Sequence, residues 1–245
     1  MFKMLPLIKK ITKKIIAVLP VALTTNERYD RLTKRILQKV CTSNSNCIDV
    51  GSNKGKILEM MLQIAPNGNH FAFEPIPILY NQLKEKFGSQ ASILSIALSN
   101  KKELSSFNLV LTDMAYSGLQ KRAYDRVEKD TSIQVQTDLL DNIISSSTKI
   151  TLIKIDVEGA ELLVLKGAIQ TIQNSKPIIL FEFGKAGANA YNNTVEEMFQ
   201  FFTEQIHYHI FTLSDWLQKK KNLSQEEFIT FYENDKEYFF LASSK

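Results

Sequence analysis

Short apolar runs alternate along this 245-residue sequence with stretches whose apolar residues recur at helical spacing. The order strand, helix, strand, helix, strand is predicted for residues 47–98, and the alternation resumes at residue 150. Strands that alternate with helices form a mostly parallel sheet with helices on both faces. The sequence therefore predicts an α/β fold whose ligands bind at the carboxyl ends of the strands.

The predicted elements divide the chain into an N-terminal helical extension over residues 1–40 and one domain over residues 41–245, because no repeat or linker interrupts the later part. Strands are predicted at 47–50, 70–73, 92–98, 150–156, 177–183, 207–213 and 237–242. Helices are predicted at 26–40, 57–64, 77–87, 159–173 and 195–205. One strand and a mobile loop are predicted for residues 101–133, because short pieces with alternating apolar and polar residues are followed there by a charged run.

The positive charge of the chain is concentrated at its N-terminus. The sequence holds 30 Lys and Arg against 26 Asp and Glu, but five of the lysines and none of the acids lie in residues 1–20. The remaining 25 basic and 26 acidic residues give a formal charge of −1. The folded body therefore lacks the basic surface that nucleic-acid binding requires.

Residues 1–20 have the pattern of a basic amphipathic helix, with lysines opposite Ile8, Ile11, Ile15 and Leu19. Three interpretations stay open: a helix packed on the protein's own core, contact with a membrane or partner, and a secretion signal. The apolar run from residue 15 to 23 is shorter than the roughly 20 residues that span a bilayer. Because two cysteines are too few for a disulfide framework, we expect a cytoplasmic protein, with membrane association through residues 1–20 as an open alternative.

A glycine-containing turn joins the first predicted strand to its helix. Gly51 and Gly55 have the spacing G-x-x-x-G, and Asp49 stands two residues before the first glycine. Neither the dinucleotide fingerprint nor the phosphate-binding loop has this spacing. The turn therefore favours a ligand with an amino acid end over a pyrophosphate, and Asp49 could hold its ammonium group.

Glu74 ends the second predicted strand, where a carboxylate can accept both hydroxyls of a ribose. The alternative is that Glu74 stabilises the N-terminus of the helix that begins at Pro77. Two acids flanking a G-x-x-x-G turn indicate S-adenosylmethionine, which has a ribose, a cationic sulfur and an amino acid tail but no phosphate. Ser99 closes the third strand and is a candidate at the same sheet edge.

Several stretches resemble, in the same order, the FkbM-type methyltransferases over residues 47–183 and more loosely to Trp216. The matching stretches are residues 48–55, 71–75, 97–100, 135–137, 140–141, 153–161 and 177–183. The run Lys-Ile-Asp-Val-Glu-Gly-Ala-Glu at 154–161 is the most specific of them. Ser52 stands where the family more often has Ala, and residues 101–133 match poorly, so acceptor contacts there are not carried over.

The resemblance implies a Rossmann-like class I methyltransferase fold with S-adenosylmethionine as methyl donor and S-adenosylhomocysteine as product. It implies O-methylation of a sugar, glycan or other natural product and does not name the acceptor. We therefore expect a small-molecule, sugar or lipid-linked acceptor, with an open oligomeric state. The cofactor-binding residues would be Asp49, Gly51, Asn53, Gly55, Glu74 and Ser99.

Three carboxylates are the catalytic candidates. Asp156 is the first choice and Glu158 the second for a general base or an acceptor anchor, and Glu182 would face the acceptor from the neighbouring strand end. The alternatives are stabilisation of the following helix for Asp156 and Glu158, and for Glu182 a pair with Lys154 or Lys185. We expect the buried cation of Lys154 to pair with a carboxylate.

No metal site is predicted, because two carboxylates alone underspecify one. The spacing typical of metal ligands is also absent around His207, His209, Cys41 and Cys47. Two other functions stay open: a non-catalytic membrane-tethered module of the same fold, and a nicotinamide-dependent oxidoreductase, which the missing middle glycine of the turn disfavours. Acceptor pockets are built from variable loops, here residues 113–130 and 184–193.

Overall fold

The structure, a computed structural model, describes residues 24–244. The predicted amphipathic helix over residues 1–20, and the membrane contact considered for it, lie outside the described residues. None of the helices within 24–244 is long and apolar enough to cross a membrane.

The strands and helices have the following bounds. The strands are β1 (Asn46–Val50), β2 (His70–Phe73), β3 (Ala91–Leu94), β4 (Ala97–Leu98), β5 (Glu103–Val110), β6 (Asp130–Asp138), β7 (Ile150–Ile155), β8 (Ile178–Glu182), β9 (His209–Thr212) and β10 (Phe239–Ser243). The α-helices are α1 (Thr25–Val40), α2 (Lys56–Ile64), α3 (Pro77–Phe87), α4 (Leu140–Ile143), α5 (Glu161–Lys166), α6 (Ile169–Ser175), α7 (Lys185–Ala190), α8 (Val195–Gln200), α9 (Leu213–Leu217) and α10 (Gln225–Glu233). A 3₁₀-helix covers Met114–Tyr116, and a π-helix covers Phe201–Gln205.

A seven-stranded sheet with the order β3-β2-β1-β7-β8-β10-β9 forms the centre of the fold. The five strands from β3 to β8 pair in parallel, and β10 runs antiparallel to both of its neighbours. The predicted α/β fold with a mostly parallel sheet is therefore confirmed. The strand order reverses beside β1, whose two neighbours are β2 and β7, and parallel α/β sheets bind ligands at such a switch point.

Alternate side chains of the central strands enter hydrophobic clusters on opposite faces of the sheet, as the two-residue period of a strand requires. On β7, Leu152 packs in a cluster with α1, whereas Ile153 packs in the larger cluster on the other face. Ile36 and Leu37 of α1 are fully buried in the first cluster. Since burying one such side chain is worth about 1.5–3 kcal/mol, α1 is held on the sheet by its apolar face. The boundary at residue 40 between an extension and a domain stays a prediction.

The polypeptide between β4 and β6 departs from the predicted organisation. The predicted strand 92–98 is wrong as a single element, because its first part pairs with β2 and its last part, β4, pairs with β6 in a second sheet. The order in this sheet is β4-β6-β5. β5 and β6 form a long antiparallel hairpin where one strand and a loop were predicted. We call residues 103–138 the arm.

The arm packs beside the carboxyl end of β2. Phe107 of β5 and Val135 of β6 are buried in a small cluster with Ile76 and Leu79 at the start of α3. The segment after the 3₁₀-helix folds back on β5, where Asn108 and Gly118 exchange two backbone hydrogen bonds of 2.8 and 3.2 Å. Residues 111–118, the first part of the loop predicted to be mobile, therefore fold back against the hairpin.

The predicted helices 159–173 and 195–205 are interrupted. The first divides into α5 and α6 around Gly167, where a side chain would meet the Ser99 carbonyl oxygen at 2.1 Å. The second continues as the π-helix after Gln200. Helical periodicity predicted the helices but not these local changes of backbone path.

Gly51 allows the ends of β1 and β7 to approach each other closely. We therefore expect Gly51→Ala to destabilise the protein by roughly 2–4 kcal/mol. The φ angle of Gly51 is +72°, and an added Cβ would lie 1.9 Å from the carbonyl oxygen of Asp156. Urea unfolding followed by circular dichroism measures the change in free energy of unfolding.

Gly184→Ala is the matched control. Gly184 has a φ of −121°, and the atom nearest to an added Cβ would be the Cβ of Tyr238 at 3.6 Å. We expect a change within about 0.5 kcal/mol for this variant. Equal stability of the two variants would contradict the role given to Gly51.

Candidate active site

A cavity of about 850 Å³ lies at the carboxyl ends of β1, β2, β7 and β8. One wall consists of the turn from Gly51 to Lys54 and of Glu74 after β2. The opposite wall consists of residues 156–161 and Glu182, and the arm contributes Phe107, Met114, Tyr116 and Arg122. The cavity therefore occupies the switch point at which the fold predicts a ligand.

Glu74 connects the turn after β1 to the end of β2. Its Oε2 accepts a hydrogen bond of 2.8 Å from the backbone N–H of Asn53, and its Oε1 accepts one of 2.9 Å from Ile76. The side chain is buried, and burial raises the pKa of Glu74 although these two donors oppose the shift. Gly51, Asn53 and Glu74 all line the cavity, which places them where the sequence predicted cofactor contacts.

The structure does not bring Asp49, Gly55 or Ser99 to the wall of this cavity. Asp49 is fully buried in β1, accepts a hydrogen bond from the Leu58 N–H at 3.2 Å, and faces the Lys154 ammonium at 3.4 Å. Its carboxylate therefore already has an ammonium partner from the protein itself.

Gly55 and Ser99 have structural surroundings as well. An added Cβ at Gly55 would meet Leu83 and Phe87 of α3 at 2.6 Å, so this glycine allows two helices to approach. Ser99 lies in a separate cavity beside the arm, where its hydroxyl donates to Asn100 at 3.4 Å. Direct cofactor contacts of Asp49, Gly55 and Ser99 have no support from this geometry.

Lys154 is a buried cation, 5% exposed, at the centre of the site. Its ammonium donates to the carbonyl oxygens of Gly51 at 2.9 Å and Val50 at 3.3 Å. It also pairs with Asp49 Oδ1 and Asp156 Oδ2, both at 3.4 Å, so the predicted carboxylate pairing is confirmed. Burial alone would lower the pKa of Lys154, but the two carboxylates raise it above its ordinary value. Lys154 therefore stays charged.

The structure brings the three predicted catalytic carboxylates together. Oxygen atoms of Asp156, Glu158 and Glu182 all lie within 4.8 Å of one another. Burial and the neighbouring Asp156 and Glu158 raise the pKa of Glu182 well above its ordinary value. Burial would also raise the pKa of Asp156, but Lys154, a hydrogen bond from Glu182 and the charge of Arg122 together lower it. The raised pKa favours the protonated form of Glu182, which can donate a hydrogen bond to the Asp156 carboxylate.

The alternative partners considered for Glu182 are engaged elsewhere. Lys154 pairs with Asp49 and Asp156, and Lys185 pairs with Glu233 at 3.6 Å and Asp235 at 3.7 Å. Glu182 therefore lines the cavity with the Asp156 carboxylate as its partner.

Glu158 follows the end of β7 in a turn with a positive φ of 58°. Its Oε2 forms an ion pair of 2.8 Å with Nη1 of Arg122, and both side chains are 14% exposed. Burial and the Asp156 charge raise the pKa of Glu158 to about 8, in spite of the opposing charge of Arg122. The sequence did not single out Arg122, because it is one of several basic residues in the charged run of the arm.

The cavity carries more acids than bases. It is lined by seven acids, Asp30, Glu74, Asp156, Glu158, Glu161, Glu182 and Asp235, and by five cations, Lys54, Lys56, Arg122, Lys154 and Lys185. Lys56 pairs with Asp30, and Lys185 pairs with Glu233 and Asp235, so these two cations do not balance the clustered carboxylates. The three clustered carboxylates can stabilise a cationic group, and their spacing would also accept a divalent ion. The predicted absence of a metal stays a prediction.

Glu161 holds the turn between β7 and α5. Its Oε1 accepts hydrogen bonds from the backbone N–H groups of Val157 at 3.0 Å and Gly159 at 3.2 Å. The residue is 1% exposed, and burial raises its pKa to about 7 against the effect of these donors.

We expect Glu161→Gln to change how stability depends on pH. The pKa of Glu161 is about 7 in the folded state and about 4.3 in an unfolded chain, so the stability from its bound proton is present below the lower value and lost as pH rises through the higher one. Gln keeps the acceptor oxygen without titrating. The free energy of unfolding of the variant, minus that of the wild type, should therefore be roughly 2–3 kcal/mol larger at pH 8 than at pH 5.

Urea unfolding at pH 5, 6, 7 and 8 measures this difference. Glu85→Gln is the control, since Glu85 is exposed on α3, and its curve should parallel that of the wild type. Parallel curves for Glu161→Gln as well would contradict a buried, protonated Glu161.

The fold and the site agree with comparisons to known proteins. Residues 49–209 match the family described as the methyltransferase FkbM domain, which is more than half of the chain. Over 144 residues the chain is 28% identical to the 2-O-methyltransferase NoeI of Sinorhizobium fredii (strain NBRC 101917 / NGR234), covering 53% of this chain and 59% of that protein. The chain thus spans about three fifths of the length of this relative.

Among solved structures, the fold is similar to that of the methyltransferase FkbM from Methylobacillus flagellatus KT. The TM-score is 0.51 at 16% sequence identity, over 83% of this chain and 44% of the other. This likeness supports the fold, and the match over residues 49–209 establishes the family. The chain therefore belongs to the FkbM family of methyltransferases.

Proposed function

We propose that this protein transfers a methyl group from S-adenosylmethionine to a hydroxyl group of a sugar, glycan or related small molecule. The observation that carries the proposal is the single cavity that joins Glu74 and the Gly51–Asn53 turn on one side to three clustered carboxylates on the other. Membership of the FkbM family supports methyl transfer. The name of the relative from Sinorhizobium fredii supports a hydroxyl acceptor.

The residues around the cavity suit this cofactor. Glu74 would hold the ribose hydroxyls, and the turn from Gly51 to Asn53 would hold the amino acid end. The surplus of carboxylates favours a cationic centre over a phosphate. When bound, the cofactor supplies an electrophilic methyl group on a positively charged sulfur.

Glu158 is our candidate for the general base. Burial would raise the pKa of Asp156, but Lys154 and a hydrogen bond from Glu182 together lower it, whereas burial and the Asp156 charge raise the pKa of Glu158 to about 8. The carboxylate with the higher pKa is the stronger base. In the proposed step the acceptor oxygen bonds to the methyl carbon, the carbon–sulfur bond breaks, and the hydroxyl proton passes to Glu158.

Asp156 and Glu182 then orient the acceptor instead of removing its proton. Asp156 is fixed by Lys154 on one side and by protonated Glu182 on the other, and 38% of its side chain is exposed to the cavity. A carboxylate fixed in this way can accept a hydrogen bond from the acceptor and hold its oxygen in line with the methyl carbon.

A thermal-shift experiment distinguishes this function from the two alternatives. Only a ligand that binds the folded state raises the unfolding midpoint. We expect S-adenosylhomocysteine to raise the midpoint and NAD to leave it unchanged. A shift with NAD alone would support an oxidoreductase, and no shift with either ligand would support a non-catalytic module.

We expect Glu74→Ala to weaken the binding of S-adenosylhomocysteine at least tenfold. Each hydrogen bond to a charged group is worth about 1.5–3 kcal/mol, and about 1.4 kcal/mol corresponds to tenfold in affinity. Isothermal titration calorimetry on the full chain measures the affinity.

Ser99→Ala is the matched control for this measurement, because Ser99 also follows a predicted strand but lies outside the cavity. We expect its affinity to stay within about twofold of the wild type. Unchanged affinity in Glu74→Ala would remove the ribose assignment.

We expect Glu158→Gln to lower turnover by about 10²-fold or more, the usual contribution of a general base. The affinity for S-adenosylhomocysteine should change little. Since the base acts in its deprotonated form, wild-type kcat/KM should rise with pH towards about 8, following the pKa of Glu158, and level off above it. This rise should be absent in the variant.

Release of S-adenosylhomocysteine, measured with S-adenosylmethionine as donor and a panel of methyl glycosides as acceptors, gives both rates. Glu85→Gln should behave as the wild type. If Asp156→Asn instead abolished the pH-dependent rise and Glu158→Gln kept it, the base would be Asp156.

A further inference from the structure

We propose that Arg122 determines acceptor specificity by binding a second oxygen of the acceptor, adjacent to the hydroxyl that is methylated. The acceptor would then carry a vicinal diol, as a sugar ring does. This inference rests on the proposed methyl transfer and names the substrate class that the same cavity takes. It concerns the arm, where the resemblance to the family was poorest.

Arg122 is held in place on two sides. Its Nη1 pairs with Glu158 at 2.8 Å, and its guanidinium carbon lies 4.3 Å from the centre of the Tyr116 ring, within the range of a cation–π contact. Tyr116 is in turn stacked on Tyr124, with ring centres 6.2 Å apart and planes 20° apart. The guanidinium is therefore positioned before any acceptor arrives.

The arm that carries these residues is itself fixed beside the catalytic turn. The backbone N–H of Gln120 donates to the Tyr191 hydroxyl at 3.0 Å. Tyr191 is packed against Gly159, where an added Cβ would meet its ring at 2.7 Å. Arg122 and Glu158 thus belong to two elements that contact each other directly and through Tyr191.

One donor of Arg122 is buried and unused. Within residues 24–244, its Nε has no hydrogen-bond partner. An arginine offers five N–H donors in a planar fork, and a buried donor without a partner is unfavourable. Arg122 lines the cavity and 14% of its side chain is exposed, so an oxygen of a bound acceptor can accept a hydrogen bond from the part of the guanidinium that faces the cavity.

The charges of the site limit which oxygen this can be. Asp156 and Glu158 lie beside the guanidinium, so a carboxylate or phosphate on the acceptor would meet like charges. A hydroxyl group is neutral, donates to a carboxylate and accepts from an arginine. Since Arg122 and Glu158 contact each other, the two acceptor oxygens must be neighbours, and hydroxyls on adjacent carbons satisfy this condition.

The test compares diols with matched compounds that lack one hydroxyl. The probes are methyl glucopyranoside, methyl galactopyranoside and methyl mannopyranoside, each with its monodeoxy analogues, and the readout is kcat/KM for S-adenosylhomocysteine release. We expect the wild type to prefer a parent glycoside over the analogue without the neighbouring hydroxyl by about tenfold or more, because an unmet buried donor penalises that analogue.

Arg122→Gln should lose this preference, turning over the parent and the analogue at similar rates. Arg122→Lys keeps the charge but not the fork and should give an intermediate preference. Binding of S-adenosylhomocysteine should stay within about twofold of the wild type in both variants, and equal unfolding midpoints would show that both are folded.

Arg126→Gln is the matched control, because Arg126 lies on the same arm, is 56% exposed and pairs with Asp113 and Glu128. It should keep the wild-type preference. The proposal is overturned if Arg122→Gln keeps the preference, or if the wild type binds S-adenosylhomocysteine and methylates none of the glycosides. Failure to bind S-adenosylhomocysteine would instead overturn the proposed methyl transfer.

Discussion

The buried ammonium of Lys154 is the interaction on which the site depends. It contacts the carbonyl oxygens of Val50 and Gly51 and the carboxylates of Asp49 and Asp156, so one charge joins the turn after β1 to the carboxyl end of β7. A buried charge is tolerated only when its partners are in place. The geometry of the turn and the protonation of the carboxylates are therefore linked through Lys154, since it keeps Asp156 ionised and leaves the available proton to Glu182.

The acidity of the site follows from this arrangement. Carboxylates packed this closely cannot all be ionised in a buried environment. Part of their charge is balanced by Lys154 and Arg122, and part is removed by protons on Glu182 and Glu161. A cationic ligand bound here would stabilise the ionised forms, so its binding would be coupled to the release of protons. The same coupling sets different pKa values for neighbouring carboxylates, which allows one to act as a base while another orients.

Much of the fold and part of the site follow from local sequence patterns. The strands β1, β2, β7 and β8 are short apolar runs bounded by polar residues, and Glu74, Asp156 and Glu182 end or follow such runs, so their meeting at one sheet edge was predictable. The arm was not, because its strands are polar on the exposed face and their pairing joins residues far apart in the sequence. The position of Arg122 at the cavity depends on that pairing, so it could not be predicted either. For Asp49, whose position in the sequence predicts a ligand contact, the structure shows a fully buried carboxylate that faces Lys154.

The attachment of the arm has a consequence for how such proteins can diverge. The chain leaves the central sheet through β4 and returns through the end of β6, and these two strands pair in parallel, with Ala97 opposite Thr137 and Leu98 opposite Asp138. Entry and exit of the arm therefore lie side by side. A change of length or sequence within residues 103–130 leaves the register of β1 and β7 untouched, because no strand of the seven-stranded sheet lies within it. Under the proposed function, acceptor choice can therefore change through the arm while the wall of the cavity formed by the turn after β1 and by Glu74 stays constant.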